Sequence, residues 1–266
     1  RHYGRFIINS LHAVWSVGAV LGGLIGAGAI YLGIPRAVQL SASGLLFSAV
    51  CLIGYRYLLP GADHPPSGPV DARAAVRPGR TVYLALAALV GIAVAGAVIE
   101  DAGSSWATLY LRDWLTAPAA VAALGYIAAV GFQFIGRLLG DRMLDRFGQR
   151  AVVRTGGLIA AVGMGAALAF PNVPGTIAGF AATGFGSATL VPAAMHAADE
   201  LPGLRPGTGL TVLTWLMRAG FLGSPIVVGA IADAVSLRAG LLTVPVAGVV
   251  VVLLAGVLSA RSRSAG

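Results

Sequence analysis

Three charges stand where the chain is otherwise apolar, and they are its first candidates for chemistry: Arg218, Glu100 and Asp101. Arg218 is the thirteenth residue of the 27-residue run Pro206–Ala232, which holds no other charge. A charge at the centre of a hydrocarbon layer costs about 2.5–3.5 kcal/mol on insertion scales, so one that persists faces a cavity or a partner. Arg218 is left with three roles: a solute contact or counter-charge, a structural ion pair, or snorkelling. Glu100 and Asp101 follow the apolar run Thr81–Ile99. Either a helix stops at Ile99 and the acids lie at its edge, or the helix continues to about Leu115. The second alternative rests on Trp106, Leu109, Tyr110 and Trp114, which recur at helical spacing, with a weak point at Gly103-Ser104-Ser105. Both carboxylates are then inside the apolar layer, where burial disfavours the charged form and proton exchange becomes available chemistry. Arg218 and one of the two acids are expected to bias each other across a cavity.

Weaker candidates are Asn9, His12 and Ser16, which share one helical face, with Trp15, Tyr126, Gln133 and His196. A few polar groups in an apolar cleft are the usual recipe for holding a small polar molecule. The same residue types near helix ends more often anchor at an interface or bond a neighbouring helix. The histidines, His2, His12, His64 and His196, stand at no metal-ligand spacing to one another. The single Cys51 lies in an apolar run and allows no disulfide within the chain. No metal and no cofactor is implied.

The elements that carry these residues follow from composition. Hydrophobic residues make up 57% of the 266 positions, charged residues only 11%, and the mean hydropathy is +0.85. A soluble chain carries roughly 25% charge. The net charge of +8 comes from arginines placed between long apolar runs, which indicates membrane topology and excludes a nucleic-acid face. A helix needs ~20 apolar residues to cross ~30 Å of hydrocarbon. Charge-free windows predict eight spans: Phe6–Pro35, Ala37–Tyr55, Thr81–Ile99, Trp114–Gly136, Thr155–Phe170, Gly175–Ala198, Pro206–Ala232 (interrupted once, by Arg218) and Ala239–Ala260. Pro171-Asn172-Val173-Pro174 divides two of them, since proline cannot continue a helix. The expected class is all-α and polytopic, and the absence of period-two alternation excludes a barrel.

Cytoplasmic loops are enriched in arginine. Fourteen arginines, Arg137 counted among them, fall on the side of the N-terminus and three (Arg36, Arg112, Arg238) on the other, so both termini of this chain are expected in the cytoplasm. Pro, Gly and charge concentrate between Pro60 and Arg80, which describes a solvated linker. The expected organisation is 1–59, two helices; 60–80, a cytoplasmic linker; and 81–266, a six-helix bundle. Gly18, Gly22 and Gly26, flanked by Ala19, Gly23 and Ala27, form small-residue stripes that allow close helix approach.

The stretch Gly136-Arg-Leu-Leu-Gly-Asp-Arg-Met-Leu-Asp-Arg-Phe-Gly-Gln-Arg150 resembles the loop motif of the major facilitator superfamily (MFS), in the copy between helices eight and nine. Asp145, Arg146, Gly148 and Arg150 match the motif core. Gly140 lies one residue upstream of the usual spacing, Gln149 replaces a basic residue, and Asp141 (followed by Arg142) and Asp145 both remain candidates for the structural acid. Leu11–Gly23, Trp106–Asp113 and Gly220–Asp233 resemble helices five, seven and eleven of the sugar-permease-like branch.

The resemblance implies a cell-membrane carrier that moves a small solute by alternating access. Proton coupling and a sugar-like solute are favoured, with drug or metabolite efflux as the alternative. The loop motif would serve as a gating latch, its carboxylate engaging a helix N-terminus or an Arg fork in one conformation. The chain would lack the first four helices of such a carrier and be transport-incompetent without them. The partners implied are the lipid bilayer, a small-molecule solute, protons and those missing helices. A polytopic enzyme would need a catalytic cluster that the sequence does not display, and a transport-silent scaffold or receptor is the remaining class.

Overall fold

The computed structural model describes residues 32–57 and 79–258, with the isolated positions Gly18, Leu21, Gly22, Ile25, Gly28 and Ala29. The chain forms two compact units, one of Val14–Ala75 and one of Arg1–Ala13 with Val76–Gly266.

In the smaller unit, Gly33 takes a positive φ of 65° and Pro35 ends the turn, after which α1 runs over Arg36–Tyr55. No residue of α1 is buried, and Cys51 is exposed on it. An added Cβ at Gly18 or Gly22 would meet nothing within 4 Å, so the described part of the small-residue stripe is open. Gly26 and the linker positions 58–78 lie outside the described residues.

The larger unit holds α2 (Arg80–Trp114), α3 (Ala119–Phe147), α4 (Gln149–Ala169), α5 (Val173–Asp199), α6 (Thr208–Ala234) and α7 (Leu237–Val257). With α1 these are seven helices, among the described residues, long and apolar enough to cross a membrane. They correspond to seven of the eight expected windows; the first, Phe6–Pro35, lies largely outside the described residues. The proline break falls where expected. Asn172 caps α5, its Oδ1 accepting from Gly175 N at 2.7 Å, with a proline in the first turn where a missing N–H does no harm.

The two largest departures from the windows are at the ends of α2 and α3. The helix that starts at Arg80 does not stop at Ile99 but runs to Trp114, and α3 begins only at Ala119, behind Pro118. At its other end α3 does not stop at Gly136 but carries Arg137 inside it and ends at Phe147. Arg137, buried where Arg142 and Arg146 of the same helix are exposed, leaves the cytoplasmic loop arginines, and thirteen against three remain for the orientation argument. Windows drawn between charges end a helix at any buried charge, and both misplaced boundaries have that cause.

Helix α2 is the hub, since it packs on α3, α5, α6 and α7 and supplies Leu89, Ile92, Ala93 and Ile99 to the core. Glycines bring the other helices together backbone to backbone. A Cβ at Gly184 of α5 would strike the Ala129 carbonyl of α3, one at Gly156 of α4 the Gly186 carbonyl, and one at Gly157 the Gly248 carbonyl of α7 at 2.9 Å. Without a hydrophobic drive between helices in lipid, this close approach is the main source of packing energy.

Between α2 and α3 the chain turns through Thr116 at φ 52°, a left-handed conformation that a β-branched residue avoids. Such a placement costs about 1–2 kcal/mol, part of which glycine recovers and part of which it loses to unfolded-chain entropy. Thr116→Gly is expected to raise the thermal midpoint in detergent modestly; an unchanged or lower midpoint would show that no strain is held there.

Candidate functional site

Glu100 and Asp101 close the regular part of α2, and a π-helical turn over Ala102–Trp106 follows, succeeded by one α turn and a second π-helical turn over Tyr110–Trp114. Gly103, Ser104 and Ser105 favour the widened turn. Glycine weakens the helix, and the Ser104 hydroxyl donates to the Glu100 and Asp101 carbonyls at 3.3 and 3.2 Å, competing for the regular ladder. The break occurs in mid-bundle, where Gly103 leaves room for Ala129 of α3.

Adjacent residues on a helix point about 100° apart, so the two acids address different neighbours. Glu100 faces α3, where Arg137 Nη2 donates to its Oε1 and Oε2 at 3.2 and 3.3 Å. The Arg137 side chain is 4% exposed and that of Glu100 16%, so this is a buried ion pair. Asp101, 8% exposed, faces α6. Its Oδ1 accepts from the Ser105 hydroxyl at 2.7 Å and its Oδ2 from the Ser224 hydroxyl at 2.8 Å, and among the described residues no cation reaches it. One carboxylate is thus charge-balanced and its neighbour is held only by neutral donors.

Buried polar atoms surround this pair. Gln133 lies one turn before Arg137 on α3, and its amide nitrogen finds no acceptor among the described residues. Trp106 points its ring toward Gly229 of α6, and its indole N–H is likewise unpartnered. Tyr110 is fully buried and stacked on Trp114 at 6.3 Å between centroids, with its hydroxyl unbonded. A cleft of about 520 Å³ between α2, α6 and α7 reaches Ser224, but its other walls are glycine, valine and alanine with one threonine, which suits hydrocarbon better than a polar solute.

The remaining candidates are dispersed. Tyr126 is 40% exposed on α3. His196 places Nε2 3.5 Å from Glu200 one turn on. Arg218 is exposed on α6, in a stripe with Trp215, Leu222 and Ile226. Among the described residues it bonds neither acid: the expected bias between Arg218 and one of the two is not seen, and the cation beside Glu100 is Arg137, from a different helix. Asn9, His12 and Trp15 lie outside the described residues.

The motif from Gly136 to Arg150 forms the end of α3, a one-residue link and the start of α4. Gly136 accommodates Ala188 and Phe185 of α5, and Gly140 and Asp141 are buried, whereas Arg142, Asp145 and Arg146 are exposed. Of the two candidate acids, Asp141 is the one inside the bundle. Arg146 lies over the Phe147 ring at 5.4 Å. Gly148, at φ 81° and ψ 156°, occupies a region that is essentially glycine-only, so the link depends on that residue. Arg150 donates from Nε to the Leu258 carbonyl at 2.9 Å.

Three contributors escaped the sequence reading: Arg137, Ser105 and Ser224. Arg137 was within reach, since it follows Gln133 by one turn on the same face. The serines carried no signal. Among the described residues no group of three His, Cys, Asp or Glu side chains converges as a metal site.

A 167-residue stretch, 63% of this chain, is 37% identical to the membrane protein MosC of Rhizobium meliloti and covers 41% of that protein. An uncharacterised MFS-type transporter of Yersinia pestis is 27% identical over 88% of this chain and 59% of its own length. An uncharacterised transporter of Sinorhizobium fredii is 28% identical over 97% of this chain and 67% of its own. The chain thus spans about two-fifths to two-thirds of the length of these relatives. No family model matches it, and no solved structure matches significantly. With seven membrane-length helices among its described residues, the chain is an all-α, multi-pass membrane relative of MFS-type transporters.

Proposed function

We propose that this chain forms part of a secondary carrier that moves a small solute by alternating access, with proton uptake and release at Asp101. The observation that carries the reading is the contrast between the two adjacent acids. Glu100 has a guanidinium at 3.2 Å, while Asp101 is buried with two serine hydroxyls and no counter-cation among the described residues. An ionised carboxylate in that setting is uncompensated, so exchange of a proton changes the local charge without breaking an ion pair. Protonation also turns one oxygen from acceptor to donor, which alters the bond to Ser224 and hence the tie between α2 and α6.

The charged groups around Asp101 are few. Glu100 lies beside it on α2, Arg137 on α3 engages Glu100, and Arg218 on α6 is six residues from Ser224 on an exposed face. His196 on α5 engages Glu200, and Arg238 of α7 bonds Leu168. The stripe of Trp215, Arg218, Leu222 and Ile226 is a poor lipid face because of its central charge, so it is assigned to a protein-covered or aqueous surface of the whole carrier. The sugar-permease-like segments favour a sugar-like solute over efflux of drugs or metabolites. The arginine distribution favours cytoplasmic termini in the cell membrane.

The test is Asp101→Asn in the full-length carrier, reconstituted in proteoliposomes. Accumulation driven by a pH gradient is expected to disappear while solute counterflow persists. Accumulation that survives the substitution removes Asp101 from coupling, and binding without any exchange by the wild type favours a scaffold.

A further inference from the structure

We infer that the arginine-rich end of the α4–α7 seam is a binding site for the phosphate of an anionic phospholipid. Arg150 and Arg154 lie one turn apart on α4, at two depths along the helix. Each is fixed to the last stretch of α7: Arg150 Nε donates to the Leu258 carbonyl at 2.9 Å and Arg154 Nε to the Val252 carbonyl at 3.4 Å. The carbonyls at a helix C-terminus carry partial negative charge, so these bonds hold both guanidinium planes in place. A guanidinium has five N–H donors, and each side chain commits one. No acceptor for the others appears among the described residues.

Among the described residues no carboxylate bonds either arginine. Neither α4 nor α7 contains an Asp or Glu. Away from the arginines both helices expose apolar side chains: Leu158 and Val162 on α4 are 52% and 60% exposed, Val249 and Leu253 on α7 51% and 72%. Two ordered guanidinium forks beside an outward-facing hydrocarbon surface match the two parts of an anionic lipid, a phosphate and its acyl chains. A soluble phosphate would use only the first part. The preference for lipid rests on the apolar surface, and the site is independent of transport at Asp101.

The test places the full chain in nanodiscs of phosphatidylcholine alone or with added phosphatidylglycerol and reads the thermal midpoint, with co-purified lipid read by native mass spectrometry. The expected result is a higher midpoint with phosphatidylglycerol and its enrichment on the wild type. Arg150→Gln/Arg154→Gln should lower the preference for phosphatidylglycerol by about tenfold or more, given roughly 1 kcal/mol per arginine near an anionic surface. Arg154→Gln alone removes only the longer carbonyl bond and serves if the double variant does not fold; it should lose a measurable part of the preference. Inorganic phosphate in detergent should not shift the midpoint. Undiminished preference in these variants, or a full shift with phosphate alone, overturns the assignment.

Discussion

Arg137→Gln is expected to destabilise the bundle by about 3–5 kcal/mol, because removing one partner of a buried ion pair leaves the other charge unpaired. Here the orphan is Glu100, 16% exposed and bonded by no other cation among the described residues. Glu100→Gln should also be costly, since it removes the carboxylate that Arg137, only 4% exposed, engages. The double substitution Glu100→Gln/Arg137→Gln replaces the pair by two amides of similar size and should regain a large share of the loss. Equilibrium unfolding in bicelles of the wild type, both single variants and the double variant gives the coupling energy directly. Small additive effects would sink the assignment of this pair as the electrostatic anchor of α2 on α3.

The second large effect is expected at Gly184. Its Cα is so close to α3 that any Cβ would collide with the Ala129 carbonyl, a backbone atom that cannot rotate away. Gly184→Ala should cost about 1–3 kcal/mol, the usual range for overpacking, and Gly184→Val should abolish the folded monomer seen by size exclusion in detergent. Gly131→Ala is the matched control on α3, since nothing lies within 4 Å of its added Cβ. It should be neutral or stabilising by up to about 1 kcal/mol, through helix propensity. Equal behaviour of the two alanine variants would mean that the α3–α5 seam is not set by Gly184.

The sequence shows the apolar runs and the break at Asn172 because both are local: an uninterrupted stretch is long enough to span, and a capped proline turn ends it. It also raises the long form of α2 as an alternative through the recurrence of Trp106, Tyr110 and Trp114. What it could not display are pairings across distance. Arg137 meets Glu100 over 37 residues and Ser224 meets Asp101 over 123. Arg218, the most conspicuous charge in the linear chain, is exposed, whereas Arg137, which reads as a loop residue in the linear chain, lies in the interior. A single residue type cannot announce whether its charge is neutralised, because that depends on which helix arrives beside it. The motif acid shows the same limit, since Asp141 and Asp145 differ by one helical turn in sequence and by burial in the fold.

The link at Gly148 has a bearing on how this protein is made. One residue in extended form spans about 3.5 Å, roughly a tenth of the hydrocarbon thickness. Helices α3 and α4 consequently have no slack between them and form one tight hairpin. Helix α3 brings a buried arginine, Arg137, into the layer with it. In the lipid that arginine meets α2, made earlier and already holding Glu100 as the counter-ion that receives it.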